Sequence, residues 1–144
     1  MKILKLIIEH LFPSLVIGLI GWLVTKDIIL FVVPLVTGWF IDADHLLDLY
    51  MARRKDRKGD VLIKSITSSS YFKHNGKVIV LLHSWELAFL WAAIWWLTDK
   101  PGIAFVGSLA WAVHLTIDQI SYKLCPWAYF LSYRLSHKFN RIFL

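Results

Sequence analysis

The stretch LAWAVHLTIDQIS, residues 109–121, decides the fold because it places two ionisable side chains in an otherwise apolar helix. At about 100° per residue, His114 and Asp118 lie about 40° apart on one helix face. An ionisable group near the centre of a membrane helix costs at least about 2.5–3.5 kcal/mol, so such groups are usually paired and functional. The stretch therefore predicts a helix that contributes to a buried polar site.

The composition of the whole chain indicates a bilayer as its solvent. Hydrophobic residues make up 58% of the 144 positions, whereas about 45–50% is usual in soluble domains. Four segments are nearly uncharged, and three of them are shorter than the roughly 18–20 residues that cross a hydrocarbon core. Each of these three needs additional helical turns, with polar residues at their ends, to span the membrane. We expect one all-α domain over residues 1–144, a membrane-embedded bundle of about four transmembrane helices. Its apolar segments lie at 11–25, 28–41, 78–97 and 103–117.

The basic residues predict the topology. Of the sixteen Lys and Arg residues, only Lys26 and Lys100 fall in the predicted hairpins at 26–27 and 98–102. The positive-inside rule then places both termini and the basic 52–77 loop on the cytoplasmic side of the inner membrane. The formal net charge of +6 favours anionic lipid headgroups as partners, at about 1 kcal/mol per basic residue near the surface. No nucleic-acid-binding motif accompanies the charge, so we expect no nucleic-acid partner.

The end of the chain predicts a second kind of membrane contact. From residue 126 to residue 144, apolar and aromatic residues recur near helical spacing, with Arg134, Lys138 and Arg141 among them. This pattern predicts an amphipathic helix that lies on the inner membrane face. The single Cys125 excludes an internal disulfide and a metal site built from several cysteines.

Three polar clusters interrupt the apolar pattern: IDADHLLD at 41–48, HSWE at 83–86 and HLTID at 114–118. On a helix, His83 and Glu86 would lie about 60° apart. On the helix that carries the first cluster, Asp42 would lie about 60° outside the arc covered by the other polar residues of that cluster. Asp42 is therefore either a ligand at the rim of the site or a residue where the helix is distorted. Alternating antiparallel helices bring all three clusters to one membrane level, which predicts a shared site among three helices.

Histidine nitrogens and carboxylate oxygens suit a divalent metal, with zinc preferred and manganese or iron as alternatives. The number of acids fits a cluster of two or three ions, and a cation would offset their mutual repulsion in a poor solvent. For His114 with Asp118, the alternative is a structural hydrogen-bonded pair within the bundle.

The order D-x-D-H, then H-S, then H-x-x-x-D within about residues 38–122 resembles a family of small inner-membrane metal-dependent hydrolases described as LexA-binding. More distantly it is similar to zinc-dependent phospholipase C. The family pattern H-R-G-x-T-H-S is incomplete here, because His74-Asn75-Gly76 stands nine residues before His83 and lacks the arginine. The metal ligands that the resemblance implies are Asp42, Asp44, His45, His83, His114 and Asp118.

These observations lead to one hypothesis and two alternatives. The hypothesis is a hydrolase that cleaves a phosphoester or ester of a lipid at the cytoplasmic leaflet with metal-activated water, and with Glu86 or Asp48 as general base. One alternative is a small metal- or proton-handling transport protein, whose carboxylates would be distributed through the membrane depth. The other is a non-catalytic membrane scaffold that recruits a partner through the basic loop.

Overall fold

The structure, a computed structural model, describes residues 2–45 and 79–140. Helical backbone resumes at residues 43–45, after a turn at 41–42 that follows the second helix. The all-α prediction is confirmed for the described ranges, and the basic 52–77 loop and residues 141–144 lie outside them. The regular elements of these ranges are α1 (Lys2–Thr25), α2 (Ile28–Phe40), α3 (Trp85–Leu97), α4 (Pro101–Ser121) and α5 (Leu131–Ser136).

Local residues set the starts of three helices. The Asp27 side chain accepts a hydrogen bond of 2.9 Å from the amide two residues on and caps α2. Ser84 caps α3 in the same way, through the amide three residues on. Pro101 occupies the first turn of α4, where a missing N–H costs nothing. Lys26 and Asp99, with φ of 60° and 57°, turn the chain tightly in the two hairpins.

Glycines let the helices approach closely near the hairpins. A Cβ on Gly18 would lie 2.5 Å from the carbonyl oxygen of Phe31, so only glycine lets α1 pack this closely on α2. Gly102, at the start of α4, faces Leu30, near the start of α2. Helices α2 and α4 therefore run parallel, and α1 and α3 run antiparallel to them. Helix α4 is central, because α1, α2 and α3 all pack on it.

The outer faces of the helices are apolar. Two helical segments, Ile28–His45 and Pro101–Ser121, are long and apolar enough to cross a membrane, and Leu11–Thr25 and Trp85–Leu97 are shorter apolar helices. The buried set includes Ser14, Thr37, Asp44, His83, Ser84, His114, Asp118 and Arg134 beside the apolar core. Exposed large apolar residues include Phe12, Leu19, Ile20, Val36, Trp39, Phe89, Ile94 and Phe105.

Two predicted helices are shorter in the structure. Helix α3 begins at Trp85 instead of near residue 77, and residues 79–84 form an extended segment with a bend. Within 126–140, the predicted amphipathic helix is reduced to the six residues of α5. Positive φ angles at Lys138 and Phe139 follow α5 directly, and Arg134 is buried at 1% exposure instead of lying on the surface.

Candidate metal centre

Four side chains from three parts of the chain converge at the end of the bundle opposite the hairpins. His83 Nε2 lies 3.2 Å from Asp118 Oδ2 and 3.7 Å from Asp42 Oδ1. His114 Nε2 lies 3.4 Å from Asp42 Oδ1 and 3.5 Å from Asp118 Oδ2. Each imidazole nitrogen thus faces both carboxylates. The predicted meeting of the three clusters is observed in these residues, which we call the four-donor group.

Different backbone elements present the four donors. His114 and Asp118 are one turn apart on α4 and both are 2% exposed, in agreement with their predicted common face. Asp42 lies in the turn that follows α2, and its side chain is 32% exposed. Both alternatives considered for Asp42, a rim position and a distorted helix, therefore apply. His83 comes from the bend before α3, so the predicted helical relation between His83 and Glu86 is wrong.

The distances between the imidazole nitrogens and the carboxylate oxygens suit a shared ion. With zinc–ligand bonds of about 2.0–2.2 Å, tetrahedral geometry separates neighbouring donor atoms by about 3.3–3.6 Å. The four separations between an imidazole nitrogen and a carboxylate oxygen run from 3.2 to 3.7 Å. Two nitrogen and two oxygen donors suit zinc, and manganese or iron as alternatives. These residues form a possible metal-binding group.

Asp44 supports a ligand instead of serving as one. Its Oδ1 lies 3.0 Å from His83 Nδ1, and its Oδ2 accepts hydrogen bonds from the amides of Leu82 and His83. A carboxylate can only accept, so Nδ1 carries the hydrogen and Nε2 faces the four-donor group. Metal-binding histidines commonly have such a carboxylate behind them, because it fixes the tautomer and the ring orientation. The structure thus corrects the predicted role of Asp44 as a metal ligand.

The surroundings of His83 favour a cation. Its Nε2 is buried without a hydrogen-bond partner among the described residues, although Asp118 is near. Burial lowers the pKa of the His83 imidazole, but the carboxylates of Asp118 and Asp44 raise it, and the net shift is upward. An ion that binds Nε2 would balance carboxylates that otherwise repel one another.

His45 lies at the exposed side of the group. Its Nε2 is 3.9 Å from Asp42 Oδ1, its side chain is 36% exposed, and its ring centroid is 4.7 Å from that of His83. Asp42, His45 and His83 could form a second group of three donors. Because Asp44 occupies His83 Nδ1, a single nitrogen of His83 serves both groups. The cluster of two or three ions stays a prediction.

Glu86 has a different set of contacts from the one predicted. Its carboxylate accepts hydrogen bonds from the Ser84 hydroxyl at 2.9 Å, the Leu131 amide at 2.8 Å, and the amide and hydroxyl of Ser132 at 2.9 and 2.8 Å. It therefore anchors the start of α5, and these contacts do not favour its predicted role as general base. Asp48, the other predicted base, lies outside the described residues.

The sequence did not identify the residues that hold His83 from behind. Arg134 donates to the carbonyl oxygens of Val80 and His83, and the Trp111 indole donates to the Leu82 carbonyl at 3.1 Å. Burial lowers the pKa of the Arg134 guanidinium, whereas Asp44 raises it, and the net shift is downward. In the sequence, Arg134 resembles any basic residue of an amphipathic segment, so no local signal marks it.

No protein-family model, curated protein or solved structure matches this chain. The geometry of the four-donor group is therefore the main support for a functional assignment.

Proposed function

We propose that this protein is a membrane-bound metal-dependent hydrolase that cleaves a phosphoester or ester of a lipid at the cytoplasmic leaflet. The four-donor group carries the proposal. Its donor spacing suits zinc, and Asp44 already holds the tautomer of His83 that presents Nε2 to an ion. The resemblance of the D-x-D-H, H-S and H-x-x-x-D elements to membrane metal-dependent hydrolases agrees with this assignment.

The arrangement of the group suits catalysis better than pure structural binding. Structural zinc sites are closed, whereas catalytic sites usually have three protein ligands and one open position. His83, His114 and Asp118 are nearly fully buried, while Asp42 and His45 lie on the exposed side. With the three buried residues as ligands, the open position of an ion would lie on the side of Asp42. A zinc ion in such a site lowers the pKa of a bound water to about 7 and polarises a substrate oxygen. With Glu86 bound to α5, Asp48 remains the sequence-based candidate for the base that accepts the proton.

A lipid substrate is supported by the surface around the group. The described helices expose large apolar side chains, as a bilayer-facing bundle requires. We infer that α1 to α4 all cross the membrane, with both termini on the cytoplasmic side. The four-donor group then lies near the cytoplasmic headgroups, where most of the basic residues are also placed. These cations would attract an anionic lipid headgroup.

The position of the group distinguishes this proposal from transport. A transit site for protons or metal ions needs ionisable groups along the path across the membrane. In the described ranges, the buried carboxylates and imidazoles gather at the end of the bundle opposite the hairpins. This placement supports chemistry at one membrane face.

Metal content tests the binding half of the proposal. The protein is purified in mild detergent, equilibrated with zinc, freed of excess metal and analysed for elemental content. We expect about one zinc ion per chain, and a loss of most of it in His114→Ala, because this variant removes a buried donor. His137→Ala is the matched control, since His137 follows α5 and its ring contacts Tyr133 and Ser136 there. Equal zinc in all three proteins would contradict the assignment.

Lipid turnover tests the catalytic half. Vesicles that contain zwitterionic, anionic or neutral lipids are incubated with the protein, with and without a chelator, and products are identified by mass spectrometry. We expect turnover that stops with the chelator and returns with added zinc. Zinc binding without turnover of any lipid class would favour the transport alternative, and turnover that survives the chelator would exclude metal-assisted hydrolysis.

A further inference from the structure

The backbone that carries His83 is held from several sides. Asp44 accepts from the amides of residues 82 and 83, and the Trp111 indole donates to the carbonyl of residue 82. The Trp85 amide donates to the Tyr129 carbonyl at 3.0 Å. Arg134 donates to the carbonyls of Val80 and His83. An extended segment has no internal helical bonds, so these partners replace them.

Arg134 is an unusual choice for this task. It is 1% exposed, burial of a guanidinium is costly, and its Nε has no hydrogen-bond partner among the described residues. Two of its nitrogens donate to carbonyls three residues apart, one of which belongs to His83 itself. A planar guanidinium can hold two acceptors in a fixed relation, which the ammonium of lysine cannot do. The contact therefore fixes both the position and the direction of the His83 peptide.

The segment that carries Arg134 is itself tied back to α3. The Glu86 carboxylate binds the first amides of α5, and Arg134 on α5 binds the backbone just before α3. We call these two residues the C-terminal clasp. Helix α5 is only six residues long, too short to be stable without such contacts. The clasp thus connects the end of the chain to the backbone of a predicted metal ligand.

We propose that Arg134 is a positioning residue that sets metal affinity, because it fixes the His83 backbone so that Nε2 faces the other three donors. This inference rests on the proposed metal-binding function. Arg134 acts on the His83 backbone, and Asp44 acts on the His83 ring. Removal of partners of this kind commonly weakens metal affinity by about 10–100-fold.

The test compares Arg134→Lys with the wild type in the same detergent. Lysine keeps the positive charge but loses the fixed pair of donors. Zinc affinity is measured by competition with a chromophoric chelator, and the visible absorption of the cobalt-substituted protein reports ligand geometry. We expect affinity about tenfold lower or more, with a changed cobalt spectrum. Lys138→Met, an exposed cation of the same C-terminal segment, is the control and should match the wild type.

The possible results distinguish a failure of the proposed metal binding from a failure of the proposed role of Arg134. If the wild type binds no zinc, both fail. If the wild type binds zinc and a folded Arg134→Lys protein has the same affinity and cobalt spectrum, Arg134 is only structural and this inference alone is overturned. Should Arg134→Lys not fold, Glu86→Gln loosens the clasp from its other side. Glu86→Gln is expected to lower zinc affinity as well, and unchanged affinity and spectrum there would also overturn the inference.

Discussion

The two halves of this bundle are held together in different ways. In the hairpin half, residues 18–31 and 95–107, glycine contacts bring the helix backbones together and charged side chains stay exposed. The Lys26 ammonium, for example, lies 5.8 Å from the ring centroid of Trp22, four residues earlier. Apart from helix packing, most contacts of this half join residues that are close in sequence.

The ligand half, residues 37–45, 80–88 and 111–134, also has a close glycine contact, of Gly38 with Ser14, but buried polar groups hold it in addition. Its long-range hydrogen bonds connect residues that are 29 to 54 positions apart, from that of the Trp111 indole to that of the Arg134 guanidinium with Val80. Each buried polar group here costs free energy unless its partner arrives from a distant part of the chain.

This difference indicates a division of labour between the halves. The hairpin half should determine the stability of the bundle, and the ligand half should determine metal affinity. Matched substitutions in the two halves can test this division, because the same chemical change should move one property and leave the other unchanged.

The largest effect is expected from Asp118→Asn. The amide has no negative charge and is a poor metal ligand, whereas Asp118 Oδ2 lies within 3.5 Å of both imidazole nitrogens. Zinc affinity should fall by more than about 100-fold, beyond the range of changes to supporting residues. Competition with a chromophoric chelator measures the affinity.

Asp27→Asn is the control for this change in the hairpin half. Asparagine caps a helix about as well as aspartate, so α2 should keep its N-terminal cap and zinc affinity should not change. At zinc concentrations about 100 times the dissociation constant, the ion should stabilise this variant and the wild type by about 2.7 kcal/mol. The division between the halves fails if both Asn variants lose zinc equally.

Gly18→Ala should reverse the pattern. The new methyl group would lie 2.5 Å from the Phe31 carbonyl oxygen. A backbone atom cannot relieve this contact by a change of rotamer, as a side chain could. Overpacking of this kind costs about 1–3 kcal/mol, which thermal unfolding in detergent would detect. Gly102→Ala is the control and should cost less, because its methyl group meets only the flexible Leu30 side chain, at 3.1 Å. Lower zinc affinity in Gly18→Ala without loss of stability would contradict the comparison.

A pair of tryptophans gives the sharpest matched test. The indole of Trp111 donates to Leu82 in the ligand half, and that of Trp91 donates to Ile103 in the hairpin half. Each Trp→Phe change removes one hydrogen bond, worth about 0.5–1.5 kcal/mol. We expect Trp111→Phe to lower zinc affinity by up to about tenfold, because the Leu82 carbonyl precedes His83. Trp91→Phe should lower only stability, and equal zinc affinities in the two variants would argue against the comparison.

The same division explains what the sequence could predict. Helical periodicity was sufficient for His114 and Asp118, because both are on one regular helix. The hairpin at 26–27 follows from a polar pair between apolar runs. Antiparallel topology was sufficient to bring Asp42 and His83 to the same end of the bundle. These predictions need only the helix period and the order of the elements.

Details that depend on distant partners were not predictable. The start of α3 at Trp85 depends on Asp44, whose carboxylate holds the preceding amides in an extended segment. For the same reason, Asp44 supports the candidate metal ligand His83 and is not itself a metal ligand. Glu86 and Arg134 likewise acquire their roles only when α5 packs beside α3. A helical repeat in the sequence contains no information about such contacts.

The smallest effect is expected from Lys100→Met in the hairpin half. The Lys100 ammonium lies 5.9 Å from the ring centroid of Trp95, and an exposed cation–π contact contributes about 0.5–1 kcal/mol. Thermal unfolding should therefore shift slightly. When Lys100→Met is combined with Trp95→Leu, the double variant should unfold at the same temperature as Trp95→Leu alone, because the aromatic ring is already absent. Zinc affinity should stay at the wild-type value in all three variants, since the charge lies at the opposite end of the bundle. A clear fall in zinc affinity would mean that charges near the hairpins act on the four-donor group, and the two halves could not be treated as separate.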